Sequence, residues 1–527
     1  MDRGRTPTAF DELMALRGGE PPAAGEVTIT GADPVHPTVF RIGDTCASVI
    51  ASIGVAVSDL WEMKTGRRQS VAVDVRHAAG TMRTSDFTFL QGADGRFEPA
   101  PHDAMMQHMR SVTQPWPTKD GRWFLPHLNL PHLRARVLGV LKCESTPDSV
   151  RDGVAKWNAD DLEEAIAKAR ACGGKVRSNA EWLDHPQGQY LAARPLIEIE
   201  KIGDSAPEPL PEGARPLSGI RVLDLTRILA GPVAARTLAE HGADVLMVTA
   251  PHLPQTAEHV RDTSHGKRST FLDLTKPDQS ARLKALAKDA DVFSQGYRPG
   301  TLGALGFGPE QLAAARPGLV YLSISCFGSG GPFAGRAGWE QVAQTVTGIC
   351  HDSGREKPTL IHAAACDWTT GFLGGYGVLL ALARRAREGG SYHVRVSLCQ
   401  SGMFIYRQGK VAIDPAISPS TNGLSRQEIE SLQISAETPY GPMRFLKPVA
   451  KLSETPAHWS RPTPKLGGDE PKWLGQEICN CETNRMVAAI WLPDRCWRGP
   501  MRKIGSNCRL GHARAANRYG SCLTGAA

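Results

Sequence analysis

A doubly wound α/β fold built on a parallel sheet is predicted by two features of this 527-residue chain. Between Pro216 and Leu398, short apolar runs rich in β-branched residues alternate with stretches of helical spacing, the β-α-β-α order that buries a parallel sheet between helices. Gly and Pro fall where that order needs breaks, with Gly242 after one helical stretch and Pro277 at the start of another.

Taken in order, the chain opens MDRGRTPTAFDELMALRGGEPPAAG, with no apolar core of the kind a secretory signal needs. From Asp44 a long apolar helix is expected, then a basic turn with Gly66 and the alternating strand SVAVDV. Residues 111–200 differ in texture. DGRWFLPHL suggests a strand pair, DDLEEAIAKARACGG (160–174) an amphipathic helix, and EWLDHPQGQ another. SAPEPLPEGARP (205–216) is a Pro-rich linker. GIRVLDLT (219–226) is a strand, AGPVAARTLAEHG (230–242) a helix with a Gly stop, and ADVLMVT (243–249) and KRSTFLDL (267–274) are strands. KPDQSARLKALAKDA (276–290) is a helix, DVFSQ (291–295) a strand, PEQLAAARPG a short helix and LVYLSIS (319–325) a strand. A long Gly-rich helix is expected from about Asp367 to Arg387, and after Ser397 an irregular, Pro-rich segment that wraps over other elements.

A shift of 323 residues sets Asp44 on Asp367, Gly54 on Gly377, Val55 on Val378, Gly66 on Gly389, and Val71 and Val73 on Val394 and Val396. The chain thus reads as a tandem fusion whose first half is truncated. The expected divisions are a degenerate partial repeat (1–110), a small domain (111–204), the linker (205–216), a main domain (217–400), a wrapping segment (401–473) and a basic, Cys-rich tail (474–527).

Composition is that of a globular protein, 41% hydrophobic and 22% charged. The net charge of +7 is concentrated in the tail, where eight Lys/Arg against three Asp/Glu leave +2 for the rest. A body so nearly neutral carries no electrostatic footprint for nucleic acid. No window approaches 18 uninterrupted apolar residues, so no membrane span is expected, and the cytoplasm is the expected compartment. Five of the 12 cysteines lie in the tail, but their spacings form no paired CxxC knuckles, so no metal site is expected.

Three features could carry chemistry. The turn Thr226–Pro232 joins a strand to a helix start, where anions bind in such sheets, although it lacks the GxGxxG of dinucleotide sites. Phe327–Phe333, rich in Gly, follows a strand and permits close backbone approach, or is a plain loop. Asp367 opens the Gly-rich helix, either as an N-cap or as a reactive carboxylate in an apolar setting.

Together PLSGIRVLDLTRILAGPVAARTLAEHGADVL, GKRSTFLDL, ADVFSQGYRPGTLGALGF, LVYLSISCFGSGGPFAGRAGWEQVAQTVTG and CDWTTGFLGGYGVLLALARRAREGG resemble the family III CoA-transferases, the formyl-CoA and carnitine CoA-transferase (CaiB/BaiF-like) group. The resemblance implies a Rossmann-like doubly wound sheet with a smaller α/β domain. It implies CoA transfer from an acyl-CoA to a carboxylic acid through aspartyl anhydride and aspartyl-CoA thioester intermediates. Asp367 falls at the catalytic aspartate, with Gly371 at the expected spacing and Glu340 at a carboxylate beside the site. Ala230, Gly231, Lys267, Arg268, Leu272 and Arg298 fall at CoA-binding positions; Lys267, Arg268 and Arg298 are candidate phosphate partners or solvated surface charges. Ala250 and Ala304 stand where relatives place arginines on the nucleotide, and Leu229 where they place a polar residue. In the first copy Ser48 stands in place of the glycine, marking Asp44 as a structural relic. Acyl-CoA is expected as a substrate with no tightly bound cofactor, and the working unit as a homodimer or an intramolecular pseudo-dimer. Two other readings are a 2-methylacyl-CoA racemase, whose His would sit at Trp339, and a catalytically silent CoA-binding scaffold.

Overall fold

The computed structural model describes residues 8–101, 104–414, 416–417 and 423–475. The tail from residue 476 onward lies outside the described residues, and with it the five tail cysteines.

Seven strands form the central sheet: β1 (Glu198–Gly203), β2 (Arg221–Asp224), β3 (Asp244–Thr249), β4 (Lys267–Phe271), β5 (Val292–Gln295), β6 (Val320–Ser325) and β7 (Ser391–Ser397). Their spatial order is β4-β3-β2-β5-β6-β7-β1, parallel throughout except for the antiparallel edge strand β1. Without that edge strand this is the Rossmann order, in which the chain reverses direction between β2 and β5 and opens a crevice beyond their carboxyl ends. Both faces are covered. Val222, Val245, Val292 and Val320 pack in one core with the helices Ala230–Glu240 and Ala365–Glu388. Leu223, Leu246, Phe293 and Tyr321 pack in another with Leu283 and Leu286 of Pro277–Ala287, Leu312 of Pro309–Ala315, and Trp473.

The helix Ala365–Glu388 lies against Ala230–Glu240 so closely that a Cβ on Gly371 would sit 2.5 Å from the Ala230 carbonyl oxygen. It also packs against the helix Ile42–Thr65. The two 24-residue helices are offset by 323 at both ends. A Cβ on Gly54 would meet Val71 Cγ1 at 2.4 Å, and one on Gly377 would meet Val394 Cγ1 at 2.6 Å. Val71 belongs to the strand Val71–Asp74 and Val394 to β7. Asp74 and Ser397, again 323 apart, each cap the next helix by accepting from the backbone N–H three residues on, that of His77 and that of Gln400. Ile42–Thr65 is long and apolar enough to cross a membrane, but 83% of its most apolar window is buried inside the protein.

Residues 104–192 fold as short helices around a three-stranded sheet (Trp116–Pro117, Trp123–Pro126, Gly173–Lys175) with its own apolar core. The segment after Ser397 is more ordered than its Pro content suggests. It continues as the helix Leu398–Arg407 and later as the hairpin Gln433–Thr438/Gly441–Leu446, which pairs with Phe89–Gln91. Lys451–Leu452 then adds to Val71–Asp74.

Candidate active site

The crevice between β2 and β5 is shaped by the turn 225–231. Ile228 there has φ 74°, a left-handed conformation that a β-branched side chain adopts only under constraint. Gly231 opens the helix so close to Thr226 that a Cβ would lie 2.2 Å from the Thr226 Cβ. A cavity of about 200 Å³ fills the crevice, lined by Arg227, Ala230, Gly231, Tyr297, Trp339 and Asp367 among others. A larger one of about 550 Å³ lies between the main sheet and the first-half segments, and it too reaches Asp367. Ile228, Leu229, Trp339 and Asp367 line both. Asp367 therefore belongs to the wall of both chambers.

Asp367 occupies the first turn of Ala365–Glu388 and is 8% exposed. Among the described residues no protein group donates a hydrogen bond to its carboxyl. Glu340 shows the opposite arrangement: it accepts from the N–H of Asp367 (2.5 Å), the N–H of Cys366 (3.2 Å) and Gln344 Nε2 (2.6 Å). Glu340 thus caps the helix that carries Asp367, the place where a carboxylate is favoured by the helix dipole. Burial is the chief cause that pushes Asp367 well above the usual carboxylate range, and the Glu340 charge adds to it. Burial also raises Glu340, but its three donors oppose the shift. The pair thus divides into a hydrogen-bonded capping carboxylate and a second one with no donor of its own.

Glu340→Gln is expected to lower turnover by roughly 10- to 100-fold, because one amide cannot accept from all three donors. Removing the like charge should also lower the affinity of Asp367 for its proton. The acid limb of the pH–rate profile then moves to lower pH, which a kcat/KM profile will show.

Trp339 is stacked on His127 at 5.4 Å between ring centroids, and His127 Nε2 lies 2.9 Å from Gln341 Oε1. The Gly-rich loop is fixed by fully buried Gln187, whose Nε2 donates to the Phe327 and Gly330 carbonyls and whose Oε1 accepts from the Phe333 N–H. Nothing in the local sequence around Gln187 marks it for that task.

The other sequence-predicted positions divide. Ala230 and Gly231 line the crevice. Arg298 lines a neighbouring cavity of about 210 Å³ and donates to the Arg170 carbonyl at 3.4 Å. Leu272 is buried in the core with Leu223 and Trp473. Lys267 is wholly enclosed, donating to Asp224 Oδ2 and the Pro232 carbonyl, each at 2.8 Å. Arg268 is 5% exposed and bonded to Asp244 and the Lys472 carbonyl. Neither cation lines the crevice. Arg227 does, with Nε unpartnered and Nη2 donating to the Pro254 carbonyl, and its place in the Thr226–Pro232 turn was the only sequence signal for it.

At the start of the helix Ile42–Thr65, Asp44 Oδ2 is 3.1 Å from Arg41 Nη1 and Oδ1 accepts from the Asp33 N–H. Asp33 mirrors Glu340 by accepting from the Asp44 N–H at 2.8 Å, and burial pushes its carboxyl up to about 6. The capping arrangement is repeated, but the Asp44 carboxyl is already bonded.

Residues 217–423 match the model of CoA-transferase family III. The chain is 29% identical over 417 residues to the acetyl-coenzyme A transferase nodX of Hypoxylon pulicicidum, covering 71% of this chain and 70% of that protein. It is 33% identical over 202 residues to the human succinyl-CoA:glutarate CoA-transferase, covering 36% and 46%. A crystal structure of a CAIB/BAIF family protein from Brucella suis is similar at 31% identity and TM-score 0.34, with 36% of this chain and 55% of that one covered. The chain therefore spans about half the length of the second and third of these, and over two thirds of the first. The similarity to CoA-transferase family III thus lies in residues 217–423, the part of the chain that carries β2 to β7, the crevice turn and Asp367.

Proposed function

We propose that this enzyme moves CoA from an acyl-CoA to a carboxylic acid with Asp367 as the covalent nucleophile. The observation that carries the reading is a buried carboxylate without a hydrogen-bond donor that lines both chambers. CoA enters by the β2/β5 crevice, where Ala230, Gly231 and Arg227 stand, with Arg298 on the wall of the neighbouring cavity. The acyl group lies in the larger cavity. Asp367 attacks the thioester carbonyl, the C–S bond breaks, and a mixed anhydride and CoA thiolate result. The thiolate then attacks the aspartyl carbonyl, releasing the first acid and leaving an aspartyl-CoA thioester. The carboxylate of a second acid attacks that thioester, and the same steps in reverse deliver the new acyl-CoA and free Asp367. A carboxylate held without hydrogen-bond donors and away from water is more basic and more nucleophilic than a solvated one. Trp339, stacked where a racemase would place its histidine, supports transfer over α-proton exchange.

The chain is further proposed to hold one working site in a pseudo-dimer of its two halves, supported by the 323-residue offset of the paired helices and by the bonded state of Asp44. Asp44→Asn should therefore leave CoA exchange within about 2-fold of the parent, whereas a fall comparable to that of an Asp367 variant would assign Asp44 to the chemistry.

The direct test is hydroxylamine trapping during incubation with acetyl-, butyryl- and succinyl-CoA, followed by peptide mass spectrometry. A hydroxamate at Asp367 that depends on acyl-CoA supports the reading. CoA bound with no hydroxamate, and α-proton exchange in deuterated water, would replace it with the racemase.

A further inference from the structure

Four arginines gather beside the crevice with no carboxylate to balance them. Arg227 lines the crevice, and Arg298 directly follows Tyr297, which lines it too. Arg136 and Arg170 come from residues 104–192, which carry their own sheet and apolar core. Arg136 stands on the helix Pro131–Leu141, whose N-cap residue, Leu130, is itself a crevice residue. Arg136 Nη1 donates to the Arg170 carbonyl at 3.0 Å, and Arg298 Nη2 donates to the same oxygen at 3.4 Å. Two guanidinium groups from separate parts of the chain thus converge on one neutral acceptor. Arg227 Nη2 likewise donates to a carbonyl, that of Pro254. Among the described residues none of the four forms an ion pair, whereas Arg68, Arg177, Arg268 and Arg316 each meet an acid. Arg136 and Arg170 are exposed and Arg298 is half-buried, so their remaining N–H groups are open to a ligand. Like charges this close repel one another. After burial, the Arg170 and Arg136 charges lower the proton affinity of Arg298, and those of Arg136, Arg227 and Arg298 lower that of His132. The helix Pro131–Leu141 has no side-chain cap at its N-terminus, and its positive end adds to the same field.

Position decides which anion suits the cluster. The acyl end of the substrate must reach Asp367, which lines the crevice but not the cavity that Arg298 lines. The anionic groups that lie away from Asp367, yet are tied to the reacting thioester, are the diphosphate and 3′-phosphate of CoA. The arginine fork matches phosphate oxygens. Lys267 and Arg268 are already bonded inside the fold and are not free for that task. Resting on the transferase reading above, we infer that Arg136, Arg170 and Arg298 hold the phosphates of CoA. Residues 104–192 then take part in binding the nucleotide end, while the main sheet presents Asp367 to the acyl end.

The test is calorimetric binding of free CoA to the full chain, at low and at high salt, with inorganic pyrophosphate as competitor. Arg136→Gln and Arg298→Gln should each weaken CoA binding by roughly 10-fold. Salt should weaken the parent more steeply than either variant. Arg136→Lys, which keeps the charge without the fork, should recover part of the loss, a result that a merely structural arginine would not give. Pyrophosphate should displace CoA from the parent. Variants that bind CoA as tightly as the parent with the same salt dependence would overturn this inference alone. So would pyrophosphate that leaves CoA in place, and that competition on the parent still decides the matter should a variant not fold. Failure of free CoA to bind the parent would overturn the transferase reading, and this inference with it.

Discussion

Asp367→Asn is expected to lower CoA exchange by on the order of 10⁴-fold or more and, at neutral pH, to raise the melting temperature. The activity loss follows from removing the atom that would carry the covalent intermediate, since no other group could replace it. The stability gain follows from the environment of Asp367, a buried carboxyl with no donor beside the Glu340 charge. Its folded-state proton affinity lies above that of an unfolded Asp, whose pKa is about 3.9. A group raised in this way favours the folded state below the unfolded pKa and loses that contribution as pH rises through the folded one. The melting advantage of the Asn variant should therefore be small near pH 4 and grow toward pH 8, where folding of the parent must either bury the Asp367 charge beside Glu340 or take up a proton that the unfolded chain has released. A neutral amide removes the repulsion and can donate toward Glu340. Thermal melts of parent and variant at both pH values check the sign. A variant that melts below its parent at pH 8 would show that the Asp367 carboxylate is stabilised by its surroundings, contrary to the geometry.

The main sheet is legible in the sequence because each of its elements is local. GIRVLDLT, ADVLMVT, DVFSQ and LVYLSIS are complete strands in themselves, and Gly or Pro bounds the helices between them. The paired helices were legible for a different reason: Gly54 and Gly377 leave room for Val71 and Val394, so one packing requirement has left one residue pattern in two places. The hairpin Gln433–Thr438/Gly441–Leu446 is hard to read from the sequence because its partner, Phe89–Gln91, is more than 340 residues earlier in the chain, and Gln433–Thr438 has no buried residue to mark an inward face. The helix Leu398–Arg407 follows β7 directly through Ser397, so the strand's apolar run masks its start. At the site, Asp367 and Glu340 were identified by resemblance. What the sequence could not convey is that Glu340 is bonded to the backbone of Asp367, because the two are joined only by tertiary folding. Gln187 was invisible for the same reason.

Lys267→Met is expected to cost about 3–5 kcal/mol of stability, the range for breaking a buried ion pair by removing one partner. Lys267 and Asp224 are both wholly enclosed. Asp224 also accepts from the Thr226 N–H (3.0 Å), Thr226 Oγ1 (2.5 Å) and Ser294 Oγ (3.2 Å). The Lys267 ammonium joins this network to the Pro232 carbonyl in the first turn of the helix Ala230–Glu240. One cation on β4 thus holds together the end of β2, the crevice turn and the start of that helix, from beneath the surface that CoA would occupy. Burial lowers the proton affinity of Lys267 and the Asp224 charge opposes that shift, the balance expected of a structural pair. This separates two roles that the sequence left open. A phosphate-binding lysine would on mutation raise KM for acyl-CoA and leave unfolding unchanged. A lysine bonded to Asp224 would on mutation lower the midpoint of urea unfolding and leave KM close to normal in the protein that remains folded. The double variant Lys267→Met/Asp224→Asn sharpens the distinction, since Asn keeps an acceptor for Thr226 and carries no charge to strand. It should recover part of the lost stability, whereas a phosphate contact would gain nothing from a change at Asp224.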